Sequence, residues 1–110
     1  MGGHLVNGGD LVLCDFGDPI GHEPAFRRPA VVLSATAFNR NGTLIVAPIT
    51  RTQRGYPTQV ELEGPLPVTS YVQCELIRAV SEQRIIRPLG RISEPTMKQI
   101  ATILRRIMSL

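Results

Sequence analysis

The chain reads as mostly β: a small, strongly curved antiparallel sheet or partly open barrel, with one C-terminal helix packed against it. Two features of the sequence predict this. Short apolar or alternating stretches recur between clusters of Gly, Pro and Asn, as strands between turns do. Only the segment after Ser93 repeats its apolar residues at helical spacing. The 110 residues leave room for one domain, expected over 9–110 behind a flexible N-terminal lead over 1–8. A chain of this size buries roughly two-thirds of its unfolded surface and folds without staples.

Asp10–Phe16 is an apolar run after a Gly-Gly break, suited to a strand covered on both faces. Gly17–Arg27 follows, with two glycines and two prolines, too punctuated for regular structure and long for a hairpin loop. It carries His22, Glu23, Phe26 and Arg27, so base, acid, aromatic and cation share one loop. Pro29–Ser34 reads as the second strand, opened by its proline, and Ser34–Gly42 as a helical turn or loop ending in Asn-Arg-Asn-Gly.

Thr43–Ile49 is the third strand, and Thr50–Pro57 a polar loop with two arginines and a tyrosine. Thr58–Leu62 alternates as a half-exposed fourth strand, and Glu63–Pro67 breaks the sheet. Ser70–Ile77 is expected as a fifth strand, with Tyr71, Gln73 and Glu75 on one face and Val72, Cys74 and Leu76 on the other. Arg78–Val80 continues after a bend, and Ile85–Ile92 is a further strand whose Pro88 and Gly90 mark an edge or bulge. Ser93 then caps a helix, with Glu94 and Pro95 in its first turn. Met97, Ile100, Ala101, Leu104, Ile107 and Met108 form its apolar face.

A hydrophobic share of 43% and a charged share of 19% suit a soluble globular protein, and nothing approaches the roughly 20 apolar residues of a membrane span. The start lacks the basic and apolar segments of a secretory signal, so a cytoplasmic protein is expected. Cys14 and Cys74, each inside a strand and each followed by an acid, read as buried reduced thiols. The two Cys and two His are scattered without paired spacing, so no metal site is expected. Eleven of the twelve basic residues are arginine. Either codon composition favours arginine, or the planar fork that grips phosphate in two places does.

Position points to the second reading. Arg28 precedes one apolar strand and Thr50 follows the next; if the two strands pair, a guanidinium and a hydroxyl converge on one anionic group.

The order Gly9-Asp10-Leu-Val-Leu-Cys-Asp-Phe16, Gly21-His-Glu23, Arg28-Pro-Ala-Val-Val-Leu-Ser34, Pro48-Ile-Thr50 and Gly55-Tyr-Pro57 resembles the MazF/PemK (Kid) family of bacterial toxins, from Gly9 to the C-terminus. The resemblance implies an SH3-like barrel shared with the CcdB gyrase poison, a homodimer, and a MazE-like antitoxin partner. It also implies a sequence-specific endoribonuclease that cuts single-stranded mRNA without metal or other cofactor. The family's catalytic arginine and threonine fall on Arg28 and Thr50, and its loop glutamate on Glu23. Where the family presents Asp-Gln or Arg-Cys-Asp in a later strand, this chain has Gln73-Cys74-Glu75-Leu76, a departure that shifts weight onto Arg28 and Thr50.

Metal-free cleavage needs a base for the 2′-hydroxyl, charge at phosphorus and a proton for the leaving 5′-oxygen, giving 2′,3′-cyclic phosphate and 5′-hydroxyl ends. Arg28 suits the charge and Thr50 a hydrogen bond to the same phosphate. Glu23 is the favoured base, with His22 and Glu75 as rivals and Gln73 as a further positioning candidate. Arg27, Arg51, Arg54, Arg78 and Arg84 suit backbone phosphates; Phe26, Tyr56 and Tyr71 suit unpaired bases. The competing expectations are a non-catalytic topoisomerase poison like CcdB and an RNA-binding module without cleavage.

Overall fold

A computed structural model describes residues 6–18, 20–21 and 26–110. Among them, seven strands form one antiparallel sheet: β1 (Asp10–Asp15), β2 (Arg27–Val32), β3 (Thr43–Thr50), β4 (Gln59–Leu62), β5 (Ser70–Gln73), β6 (Arg78–Ser81) and β7 (Ile85–Arg91). A one-turn helix, α1 (Thr36–Asn39), joins β2 to β3, and α2 (Glu94–Met108) ends the chain. The strands run β4-β5-β3-β2-β1-β7, with β6 paired to β3 off that path. The sheet is curved and unclosed, as the sequence predicts for a partly open barrel with a C-terminal helix.

Strand β3 is the hub. Thr43–Val46 pairs with β6 and Ile49–Thr50 with β5, while Val46–Pro48 pairs with β2 on the other side. Between the β6 and β5 ladders lie Ala47 and Pro48, and Pro48 has no N–H to lose there. Both faces of the central strands are covered. Val12, Cys14, Ala30, Val32, Leu44 and Val46 enter one core; Leu11, Val31, Ala47 and Ile49 enter a second, with Val60, Val72 and Ile100. Two-sided burial is why these strands read as continuous apolar runs.

Several details depart from the sequence reading. Strand β2 begins at Arg27, so Pro29 lies inside it; the β2–β3 ladder starts one residue later, at Ala30. The fifth strand stops at Gln73, and Cys74–Leu76 turns into a 3-10 helix. The expected alternation to Leu76 therefore fails: Gln73 joins Val72 and Cys74 in the interior, and only Glu75 faces out. Val6 lies within the segment expected as the N-terminal lead. Val6 is buried in the first core, and its carbonyl accepts the buried Asn39 side-chain N–H at 2.8 Å. The bulge expected around Pro88 and Gly90 is present, a register shift in the β1–β7 ladder; Gly90 has φ 143° and a Cβ there would meet Pro65 at 3.1 Å.

Helix α2 starts as its sequence requires. The Ser93 hydroxyl accepts the Thr96 N–H at 3.3 Å, a cap that contributes about 1 kcal/mol, and Glu94 adds a charge at the N-terminal dipole. Ile100 is its wholly buried apolar residue and locks it onto the second core. No helix among the described residues is long and apolar enough to cross a membrane.

Both cysteines are free and buried. Burial pushes the Cys14 thiol up from 9.0 to about 11, against the opposing pull of Arg84 and Arg78. Burial, with Glu75 adding to it, pushes Cys74 up to about 12. Because the folded thiols hold their protons at pH values where unfolded thiols have lost them, their contribution to stability is full below pH 9 and falls as pH rises toward 11. Urea midpoints measured from pH 8 to 11 are expected to fall less steeply in Cys14→Ala than in the unaltered chain; parallel slopes would contradict the burial argument.

Candidate active site

The register of β2 against β3 places Ala30 opposite Pro48, Val31 opposite Ala47 and Val32 opposite Val46. The ladder ends at Ala30–Pro48; two residues beyond it lie Arg28, which pairs with Cys14 of β1, and Thr50, which pairs with Tyr71 of β5. In the pleat, Arg28 shares its face with Ala30 and Val32, and Thr50 shares its face with Pro48 and Val46. Thus two apolar rows each end in one polar residue, at the same end of the same face.

Both residues line one cleft of about 480 Å³. Arg27 and Arg51 join them on its polar side and are exposed. Leu13, Pro29, Ile49, Leu66, Pro67 and Val68 supply apolar walls. Three guanidiniums face the cleft without an acidic lining residue among the described ones, so its field selects an anion, strengthened by the low-dielectric walls. The chemistry of these residues suits one bound group: a tetrahedral oxyanion carrying an apolar or aromatic neighbour.

Two local features equip the pair. The Nε of half-buried Arg28 is shielded from solvent and has no hydrogen-bond partner among the described residues, a desolvated donor held without its bond. Thr50 Oγ1 accepts the Thr52 N–H at 3.2 Å, which leaves its own hydrogen free to donate.

The other predicted residues are distributed differently. Arg54 and Tyr56 lie exposed on the loop beyond Thr52, and neither lines the cleft. Phe26 is 61% exposed, with φ 55° just before β2, and holds the base of its loop through backbone bonds to Phe16 and Gly17. Arg78 lies over the Phe16 ring, 5.8 Å from its centroid, and Arg84 donates to the Asp15 carbonyl at 3.2 Å. Glu75 accepts the Thr58 hydroxyl at 3.0 Å, and Gln73 is buried with its Oε1 unpartnered; neither lines the cleft. Tyr71 is half-buried and pairs with Thr50 from β5. Glu23 and His22 lie outside the described residues.

Sequence reasoning missed Thr52, Ser70 and the Leu66–Val68 wall. Thr52 had a signal in the polar loop after β3; the wall had none, because a Pro-rich sheet break says nothing of what folds against it. Among the described residues no three His, Cys, Asp or Glu side chains are grouped to hold a metal ion.

Comparison with known proteins gives this geometry a family. A family model described as the PemK-like, MazF-like toxin of type II toxin–antitoxin systems matches residues 7–108. Endoribonuclease MazF9 of Mycobacterium tuberculosis is 32% identical over 96% of this chain and 98% of its own length. The crystal structure of MazF from Deinococcus radiodurans superposes with a TM-score of 0.88 at 28% identity, covering 97% of this chain and 99% of that one. A MazE–MazF crystal structure from the same organism superposes at 0.83 with 28% identity, covering 97% and 98%. From the family match and these relatives together, the chain belongs to the PemK-like, MazF-like toxin family of type II toxin–antitoxin systems and takes its place among that family's endoribonucleases.

Proposed function

We propose that this toxin cleaves single-stranded RNA without a metal ion, through Arg28 and Thr50 acting on one scissile phosphate. The observation that carries the reading is their common cleft, in which Arg28 keeps a desolvated donor unspent. The RNA 2′-oxygen attacks phosphorus and passes its proton to a base, while the bond to the 5′-oxygen breaks and that oxygen takes up a proton. The products are a 2′,3′-cyclic phosphate and a 5′-hydroxyl.

Arg28 supplies charge to the phosphate oxygens as negative charge builds on them. Its part is charge and hydrogen bonding rather than proton donation, because a guanidinium is a poor acid. Thr50 donates its free hydrogen to the same group. Glu23 is the proposed base, with His22 second; Glu75 is disfavoured by its hydrogen bond to Thr58 and its place away from the cleft. Arg27 and Arg51 hold neighbouring backbone phosphates, and the apolar wall and Phe26 receive bases. Arg54, Tyr56, Arg78 and Arg84 extend the RNA track beyond the cleft.

The same reading includes a cytoplasmic setting, a MazE-like antitoxin, supported by the MazE–MazF neighbour, and a homodimer, for which the exposed apolar Ile107, Met108 and Leu110 at and just beyond the end of α2 offer a contact. The test is direct. Purified protein incubated with a long single-stranded RNA in excess chelator is expected to yield defined fragments with cyclic-phosphate ends. Intact RNA with retained binding would instead mark an RNA-binding module, and neither cutting nor binding a toxin of another kind.

A further inference from the structure

Strand β3 ends at Thr50, and the chain then runs exposed from Arg51 to Pro57 before β4 begins. A hydroxyl at the root of an exposed loop keeps its direction only if something holds the loop. Gln59, the first residue of β4, reaches back across it. Its Nε2 donates to the Thr52 carbonyl at 3.0 Å, and its Oε1 accepts the Arg54 N–H at 2.8 Å. The opposite orientation of the carboxamide would set donor against donor and acceptor against acceptor, so the two contacts fix which way it points.

Thr52 is thereby held at both of its backbone polar groups. Its carbonyl is bound by Gln59, and its N–H donates to Thr50 Oγ1 at 3.2 Å. That second bond occupies one lone pair of the Thr50 oxygen and leaves its hydrogen to donate elsewhere. Gln59 is itself anchored, by its N–H to the Tyr56 carbonyl at 3.1 Å and by pairing with Gln73 in β5.

We propose that Gln59 is a positioning residue for RNA cleavage: through Thr52 it holds the Thr50 hydroxyl in its donating direction. It touches neither the phosphate nor Arg28. The proposal rests on the reading of Thr50 as a donor to the scissile phosphate.

Single-turnover cleavage of a long single-stranded RNA and binding of its 2′-O-methyl copy test the proposal. Gln59→Leu is expected to slow cleavage about 10- to 100-fold, the scale of a modest misplacement of a catalytic group, with binding unchanged. Gln59→Glu keeps the acceptor for the Arg54 N–H but, as a carboxylate, has no donor for the Thr52 carbonyl. Its rate relative to the unaltered protein at the same pH is expected to recover as pH falls toward the ordinary carboxyl pKa of about 4.3, where protonation restores the donor. A loop merely anchored by packing would show no such recovery. In a Thr50→Val background, Gln59→Leu is expected to have no further effect. Full activity in Gln59→Leu alongside a slow Thr50→Val, or losses that multiply in the double variant, would overturn the relay and leave the role of Thr50 standing. Unimpaired cleavage by Thr50→Val would overturn that role, and the relay with it.

Discussion

Arg28→Ala is expected to slow RNA cleavage about 100- to 1000-fold, the loss seen when one preorganised donor to a developing oxyanion is removed. The residue is half-buried at the start of β2, so its charge acts in a partly dry site where field strength is high and water competes poorly. Arg28→Lys is expected to recover little, because an ammonium replaces a planar fork by a point charge. Both variants should fold: the guanidinium Nε has no partner to lose among the described residues, and Ala30 and Val32 keep the core row intact. Single-turnover rates on a cleavable RNA, with circular dichroism as a fold check, decide it. Rates within about threefold of the unaltered protein, well inside what one lost donor costs, would remove Arg28 from the chemistry.

Ile100→Ala is expected to cost about 2–5 kcal/mol of stability, out of the 5–15 kcal/mol typical of a domain. Ile100 has no exposed surface and inserts from α2 among Leu11, Val31, Val60 and Val72, so truncation leaves a cavity in the second core. The melting temperature should fall by about 10 °C or more. Ile103→Ala, at a half-buried site on the same helix, should cost less. Because α2 packs on β4 and the turn after β5 rather than on the ends of β2 and β3, cleavage well below the melting temperature should be unchanged. A loss under 1 kcal/mol, below the range for a buried isoleucine, would mean α2 is not seated as described.

What the sequence disclosed, and what it withheld, follows from the range of the interactions concerned. That Arg28 and Thr50 lie at one cleft was legible because strand rows are periodic and each ended in one polar residue. The Ser93 cap and the apolar face of α2 were legible for the same local reason. The turn at Cys74–Leu76 was not, since the alternation Val72, Cys74, Leu76 continues in the residues while the backbone leaves the sheet. Val6 stands beside Asn7, Gly8 and Gly9 with no period to mark it, and its carbonyl is held by Asn39, thirty-three residues away. Gln59 reads as an ordinary polar position on a half-exposed strand; only the folded loop brings Thr52 and Arg54 onto its carboxamide.

Cleavage by this site requires that one phosphate be held jointly from β2 and β3. A crystal structure of the protein with an oligonucleotide carrying a 2′-deoxy residue at its cleavage site measures this directly. The expected result is a single phosphate with Arg28 and Thr50 Oγ1 both at hydrogen-bond distance, about 2.7–3.2 Å. A phosphate held by one of them alone, or an RNA strand that bypasses the cleft, would contradict it.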